Sequence, residues 1–177
     1  MFRKLSVAYC FVALLILTSC STVPTTGPSL GTPVSPSQVA GFDLIVGADG
    51  NELPSGSGTA AQGEAIYQAR CQSCHGADGE GLSSATRLVG GSMQSEGRPI
   101  RTVGSYWPYA TTVFDFIRRA MPADAPKSLT DEEVYQVTAY VLFMNNIIDR
   151  EAILNRDSLS KIEMPNRHGF IDQSNIQ

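Results

Sequence analysis

"IYQARCQSCHGADGEG", residues 66 to 81, separates Cys71 from Cys74 by two residues and sets His75 directly after the second cysteine. Such a pair serves one of three chemistries: a redox dithiol, half of a structural zinc site, or the attachment point of a larger group. Each demands a different chain around it.

A redox dithiol of the C-x-x-C kind sits between a strand and a helix of an α/β fold. This chain has almost no strand pattern, so that reading is weak. A structural zinc ion takes four cysteine or histidine ligands. Beyond the N-terminal cysteines, the chain offers only Cys71, Cys74, His75 and His168. Adjacent Cys74 and His75 point poorly at one tetrahedral ion, and His168 lies in the C-terminal tail. The third reading uses every residue of the motif. In C-x-x-C-H two thioethers join the sulfurs to haem vinyl groups, and the imidazole ligates the iron from one face. A helical turn spreads Cys71 and Cys74 along one porphyrin edge while His75 projects beneath it.

The 177 residues suffice for one compact domain with accessory segments. "MFRK" is a positive n-region, and "LSVAYCFVALLIL" is too short for a comfortable membrane span. Leu17, Thr18, Ser19 and Cys20 resemble the lipobox of bacterial lipoproteins, in which the cysteine becomes the lipidated first residue. An ordinary secretory signal is the alternative. Residues 1–19 are read as a lipoprotein signal peptide, which directs the chain to the cell envelope and removes Cys10. Its removal also takes Arg3 and Lys4 but no acid, leaving 11 basic against 17 acidic side chains, a net charge of −6. That balance argues against nucleic acid as a partner.

Residues 21–37, "STVPTTGPSLGTPVSPS", carry four prolines and neither charge nor aromatic ring. They read as an extended tether of roughly 50 Å at about 3.1 Å per residue. The lipid anchor and tether together are assigned to residues 20–58, with "GFDLIVGADGNELPSGSG" a short strand or loop. A first helix is predicted from Ala60 or Ala61, with Ala65, Ile66 and Ala69 at helical spacing ahead of Cys71. Residues 76–108 hold seven of the sixteen glycines and read as loops with short helical turns. "ATTVFDFIRRA" puts Val113, Phe114 and Ile117 on one helical face. The strongest helix begins at "SLTDEEVYQVTAYVLFMNN": Thr130 and Glu133 match a capping box, and Val134, Val137, Thr138, Val141 and Leu142 form its buried stripe. An all-α fold follows.

"RCQSCHG", with "AMPADAPKSLTDEEVYQVTAYVL" as ligand loop and final helix, resembles the class I cytochromes c. The resemblance implies an all-α haem domain over residues 59–148, and residues 149–177 are read as a C-terminal extension wrapping it. It implies one covalent haem c on Cys71 and Cys74, with His75 and a methionine thioether as axial ligands. Four methionines remain after processing. Met144 fits a core role on the final helix. Met93 follows His75 by only eighteen residues. Met121 precedes Pro122 and the capping box, as in the family's ligand loop, though the stretch before it is shorter than the family's. Met164, in "EMPNRHGF", is its rival, and His168 a lesser candidate.

"RTVGSYWPYATTVFDFIRRAMP" and "KIEMPNRHGF" further resemble the cytochrome subunits or partners of periplasmic sulfite and sulfane-sulfur dehydrogenases, and the electron acceptor of methanol dehydrogenase. The resemblance implies a periplasm-facing carrier of single electrons, not an enzyme on its own. Its donor would be a periplasmic dehydrogenase, of the molybdenum sulfite or sulfur type ahead of a quinoprotein. Its acceptor would be a downstream cytochrome or oxidase. A haem protein with open iron, binding a small ligand or acting catalytically, is the alternative. Arg101, Tyr106, Trp107 and Tyr109 are candidates to reach haem propionates, with ordinary packing an equal reading.

Overall fold

A computed structural model describes residues 31–40 and 42–171. The signal sequence, Cys20 and the first part of the tether lie outside these residues. The chain divides into two units, residues 1–38 and 39–177. In the first, the described residues 31–35 have no regular structure, and helix α1 (Pro36–Ala40) follows. Ser35 closes its N-terminus by accepting from Gln38 N at 3.3 Å and donating its own N–H to Gln38 Oε1 at 2.8 Å.

The second unit is the all-α fold expected from the sequence. Its helices are α2 (Ala60–Arg70), α3 (Gln72–His75), α4 (Val103–Tyr106), α5 (Ala110–Ala120), α6 (Asp131–Met144) and α7 (Arg156–Leu159). Strands β1 (Ser57–Gly58) and β2 (Leu154–Asn155) pair antiparallel, Ser57 opposite Asn155 and Gly58 opposite Leu154. Reciprocal capping starts the principal helices. Thr59 and Gln62 close α2, and Thr130 and Glu133 close α6, where Thr130 N donates to Glu133 Oε2 at 2.8 Å.

Helix α6 is the axis of the unit. The predicted stripe is buried, and so are Tyr135, Ala139 and Tyr140, because other elements surround the helix. Phe114 of α5 packs on Tyr135 with ring centroids 4.5 Å apart, and Tyr67 of α2 on Tyr140 at 5.2 Å. The α2–α6 crossing is close because Gly63 has no side chain. A Cβ there would lie 2.5 Å from the carbonyl carbon of Gln136 and 3.0 Å from Tyr140 Cβ.

Residues 42–54 contain no strand, and they join the fold rather than trail from it. Val46 and Leu53 are buried. Val46 N donates to Asp115 Oδ1 at 2.8 Å, Thr111 Oγ1 donates to the Ala48 carbonyl at 3.0 Å, and Arg118 Nη1 donates to the Leu44 carbonyl at 3.2 Å. The compact unit thus begins at Val39, ahead of the boundary at residue 59 read from the sequence, because these backbone groups find partners on α5. Beyond α6, Leu154, Leu159 and Met164 are buried in the core.

The glycine-rich loop after His75 is fastened at both ends. Tyr67 Oη donates to the Gly76 carbonyl at 2.9 Å. At the far end Asn145, the C-cap of α6, donates Nδ2 to the carbonyls of Leu88 (3.2 Å) and Val141 (2.9 Å), and its Oδ1 accepts from Gly90 N at 3.1 Å.

The crossing gives a prediction in which two effects oppose. Alanine gains about 1 kcal/mol over glycine in helix propensity. Overpacking at a rigid backbone contact costs about 1–3 kcal/mol, toward the upper end where a carbonyl group is the obstacle. Gly63→Ala is therefore expected to destabilise the protein by a net ~1–2 kcal/mol in thermal or denaturant unfolding. A variant as stable as the parent would mean that this contact does not limit the helix pair.

Candidate functional site

A cavity of about 580 Å³ opens between α2, α3, the 84–88 loop, α5 and α6. That volume falls within the ~300–1,000 Å³ of ligand-binding clefts. Cys71, Cys74, His75 and Met121 all line it. Helix α2 delivers the first three: it ends at Arg70, Cys71 is its C-cap, and α3 carries Cys74 and His75. Met121 is delivered by α5 as its extended C-cap, its N–H donating to the Ile117 carbonyl at 3.0 Å. The cavity is walled by Val113, Phe116 and Ile117 of α5 and by Val137 and Val141 of α6.

His75 Nδ1 is 2.9 Å from the Thr86 carbonyl, which can only accept, so Nδ1 carries the N–H and Nε2 is the nitrogen left for ligation. A backbone carbonyl holding one ring nitrogen while the other ligates is the usual support of a metal-binding imidazole. Thr86 gave no sign in the sequence because it acts through its backbone. Asn145, which ties down the loop after Thr86, was also missed; its only signal is its place in "FMNN" at the helix end.

Cys71 is half-buried and Cys74 exposed. Burial pushes the Cys71 thiol up to about 11, with Cys74 adding to the shift and Arg70 opposing it. Redox cysteines are activated by a lowered pKa, so this pair does not look like a working dithiol. Tyr67, also on the cavity wall, is raised by burial first and then by the neighbouring Cys71. Among the described residues no three His, Cys, Asp or Glu side chains converge on one point, so the zinc reading gains no ligand set.

The remaining candidates separate cleanly. Met164 is 1 % exposed in the core and does not line the cavity. Met93 and Met144 do not line it either, and His168 is exposed, 3.4 Å from Glu163. Arg101 and Trp107 are on the cavity wall, whereas Tyr106 and Tyr109 are not. Two cationic neighbours absent from the sequence reading, Arg70 and Arg87, join Arg101 there against a single acid, Asp124.

These residues fit a haem. Two thiols, an imidazole nitrogen and a thioether are the donor set of a covalently held, axially ligated haem, and apolar walls suit a flat apolar macrocycle. Among the described residues no helix is long and apolar enough to cross a membrane.

Comparison with known proteins points the same way. A family model described as cytochrome c oxidase, cbb3-type, subunit III matches residues 58–141. Thiosulfate dehydrogenase of Allochromatium vinosum is 42 % identical over 81 residues, which are 45 % of this chain and only 29 % of that protein. The crystal structure of the sulfane dehydrogenase SoxCD from Paracoccus pantotrophus aligns with a TM-score of 0.77 at 35 % identity, over 85 % of this chain and 75 % of that chain. The chain belongs to the cytochrome c family and has the helical fold of its class I members.

Proposed function

We propose that this chain is a monohaem c-type cytochrome that carries single electrons in the bacterial cell envelope and is not an enzyme on its own. The observation that carries this reading is the meeting of Cys71, Cys74, His75 and Met121 in one apolar cavity. Cys71 and Cys74 would hold haem c through thioethers, with His75 and Met121 as axial ligands. The group supplies a one-electron couple at its iron. The thioether of Met121 is a soft donor that favours the ferrous state and raises the potential. Thr86 would orient the imidazole of His75, and side chains of α5 and α6 such as Val113, Ile117, Val137 and Val141 would give the group an apolar wall. Filling both axial positions suits electron transfer and leaves no coordination site for a substrate.

The donor is proposed to be a dehydrogenase of sulfur compounds in the periplasm, of the molybdenum type. The named relatives, a thiosulfate dehydrogenase and a sulfane dehydrogenase, support this choice over a quinoprotein. A downstream cytochrome or oxidase would take the electron on. The N-terminal reading completes the proposal: residues 1–19 as signal, lipid on Cys20, and a tether between anchor and domain.

Three measurements test these parts separately. Replacing Cys71 and Cys74 together by Ala is expected to abolish haem staining on a denaturing gel. In the same series, Met121→Ala should lose the sulfur-to-iron charge-transfer band of the oxidised protein and admit carbon monoxide in the reduced one. Loss of that band in Met164→Ala instead would move the ligand to the core methionine.

For the donor, oxidised cytochrome is mixed with candidate dehydrogenases and their substrates, and haem reduction is followed. Rapid reduction with a sulfur-compound dehydrogenase is expected; reduction only by a quinoprotein with its alcohol would overturn the assignment. For the anchor, Cys20→Ser in cells should release the protein from membranes or block its processing, since stable anchoring depends on acyl chains. Wild-type protein found wholly in the soluble fraction would sink the lipid assignment.

A further inference from the structure

The stretch after α7 ends in a set of contacts that fall on one short loop. Met164 anchors it in the core. Two residues on, Asn166 Nδ2 donates to the Tyr106 carbonyl at 2.7 Å. The Arg167 guanidinium lies 4.1 Å from the centre of the Tyr109 ring. Phe170 meets the Tyr106 ring edge-on, with centroids 5.2 Å apart. The same Tyr106 ring carries the Arg101 guanidinium 4.9 Å from its centre.

Tyr106 does not line the cavity, but Arg101 and its sequence neighbour Trp107 do. The start of the loop between them is held from within: Thr102 and Val103 are buried, the Thr102 hydroxyl donates to the Gly90 carbonyl, and Val103 N donates to the Leu88 carbonyl at 3.2 Å. Helix α4 is four residues long, capped by Thr102, and Trp107 leaves it in an extended conformation at φ −69° and ψ 126°. One helical turn does not hold itself together in water, so the exit of the helix, at Tyr106 and Trp107, depends on what packs against it. Asn166 and Phe170 pack on Tyr106, and Phe116 of α5 packs on Trp107 with ring centroids 5.7 Å apart.

Arg101 is exposed and belongs to none of the ion pairs among the described residues. Asp124 is the one acid on the cavity wall and it is not in ion-pair contact with Arg101, so the guanidinium charge acts on the cavity unpaired. A cation at the wall of an iron site favours the less positive, reduced state of the metal. Moving that cation changes the balance between the two states.

We propose that residues 164–170 form a strap that positions Arg101 and Trp107 through Tyr106, and so sets the reduction potential of the group held in the cavity. This inference rests on the haem reading above. Tyr106, Asn166 and Phe170 are positioning residues: they act on the cavity wall from behind it. Met164 keeps the strap anchored in the core, whereas the contacts made by Asn166, Arg167 and Phe170 are individually weak and lie near the surface, so their loss loosens the loop without unfolding the domain.

The test uses the full-length haem-bearing protein with Phe170→Ala, Asn166→Ala, Arg101→Gln and the Arg101→Gln/Phe170→Ala double variant. The midpoint potential, the emission of Trp107 and the melting temperature are read on each. Trp107 is the sole tryptophan, so its emission, quenched by nearby haem, reports the cavity wall alone.

Arg101→Gln is expected to lower the potential. Phe170→Ala and Asn166→Ala should lower it by a smaller amount and raise Trp107 emission. In the Arg101→Gln background, Phe170→Ala should lower the potential no further, since both changes act through the same charge. A lowered melting temperature with unchanged potential and emission would make the segment a strut and overturn the proposal. An equal drop in both backgrounds would also overturn it, because the effect would not pass through Arg101. Wild-type protein without covalent haem would remove the haem reading itself, whereas haem-bearing protein indifferent to Phe170 removes only the strap.

Discussion

The place where the backbone of α6 passes over Gly63 governs the rest of the molecule. Any side chain at that position would push into the Gln136 carbonyl group and the base of Tyr140. With none, α2 and α6 approach until the rings of Tyr67 and Tyr140 meet at a tilt of 52°, centroids 5.2 Å apart. Helix α2 runs directly into Cys71, and α6 supplies Val137 and Val141 to the cavity. One backbone contact therefore fixes the distance between the C-x-x-C-H segment and the wall facing it. The loop between them need not be rigid in itself. It is held where it matters, by Tyr67 at Gly76 and by Asn145 at Leu88 and Gly90.

What the sequence made legible were features written in side-chain type and local spacing. Thr130 and Glu133 announce a helix start because a capping box is a local exchange of hydrogen bonds. Cys71, Cys74 and His75 announce their chemistry because it needs those atoms within one helical turn. Met121 was separable from Met164 only by its neighbours in sequence; the structure separates them by place, one at the cavity and one in the core. The hidden features act through backbone or across long separations. Thr86 offers a carbonyl that any residue could offer. Gly63 reads as a weak point in a helix until its partner, 73 positions later, is known. Val46 joins the core because of Asp115, 69 residues away, and nothing in "DLIVG" names that partner.

Charge is distributed unlike its sum. The chain is acidic overall, yet the charged groups lining the cavity are Arg70, Arg87 and Arg101 against Asp124. The other acidic side chains among the described residues are elsewhere, and some answer arginines: Asp131 takes Arg118 at 2.7 Å, and Asp115 takes Arg119 at 2.5 Å. Partly exposed pairs of this kind contribute about 0–1 kcal/mol each. Their larger effect is on order, because Asp115 and Arg118 also bind the backbone of residues 44–46. Net charge is thus a poor guide to how the cavity meets another molecule.

Helix α5 has two faces with separate duties. On a helix of 3.6 residues per turn, positions 111, 115 and 118 share one side and 113, 116 and 117 the other. The first set grips residues 44–48, and the second lines the cavity. Tension pulling on the chain ahead of residue 42 would reach the domain as a load on the back of α5, borne by hydrogen bonds from Asp115, Thr111 and Arg118. The cavity-facing side would carry none of it directly. The helix is built as a bulkhead: a pull on residues 44–48 would load one side, while the cavity-lining side chains project from the other.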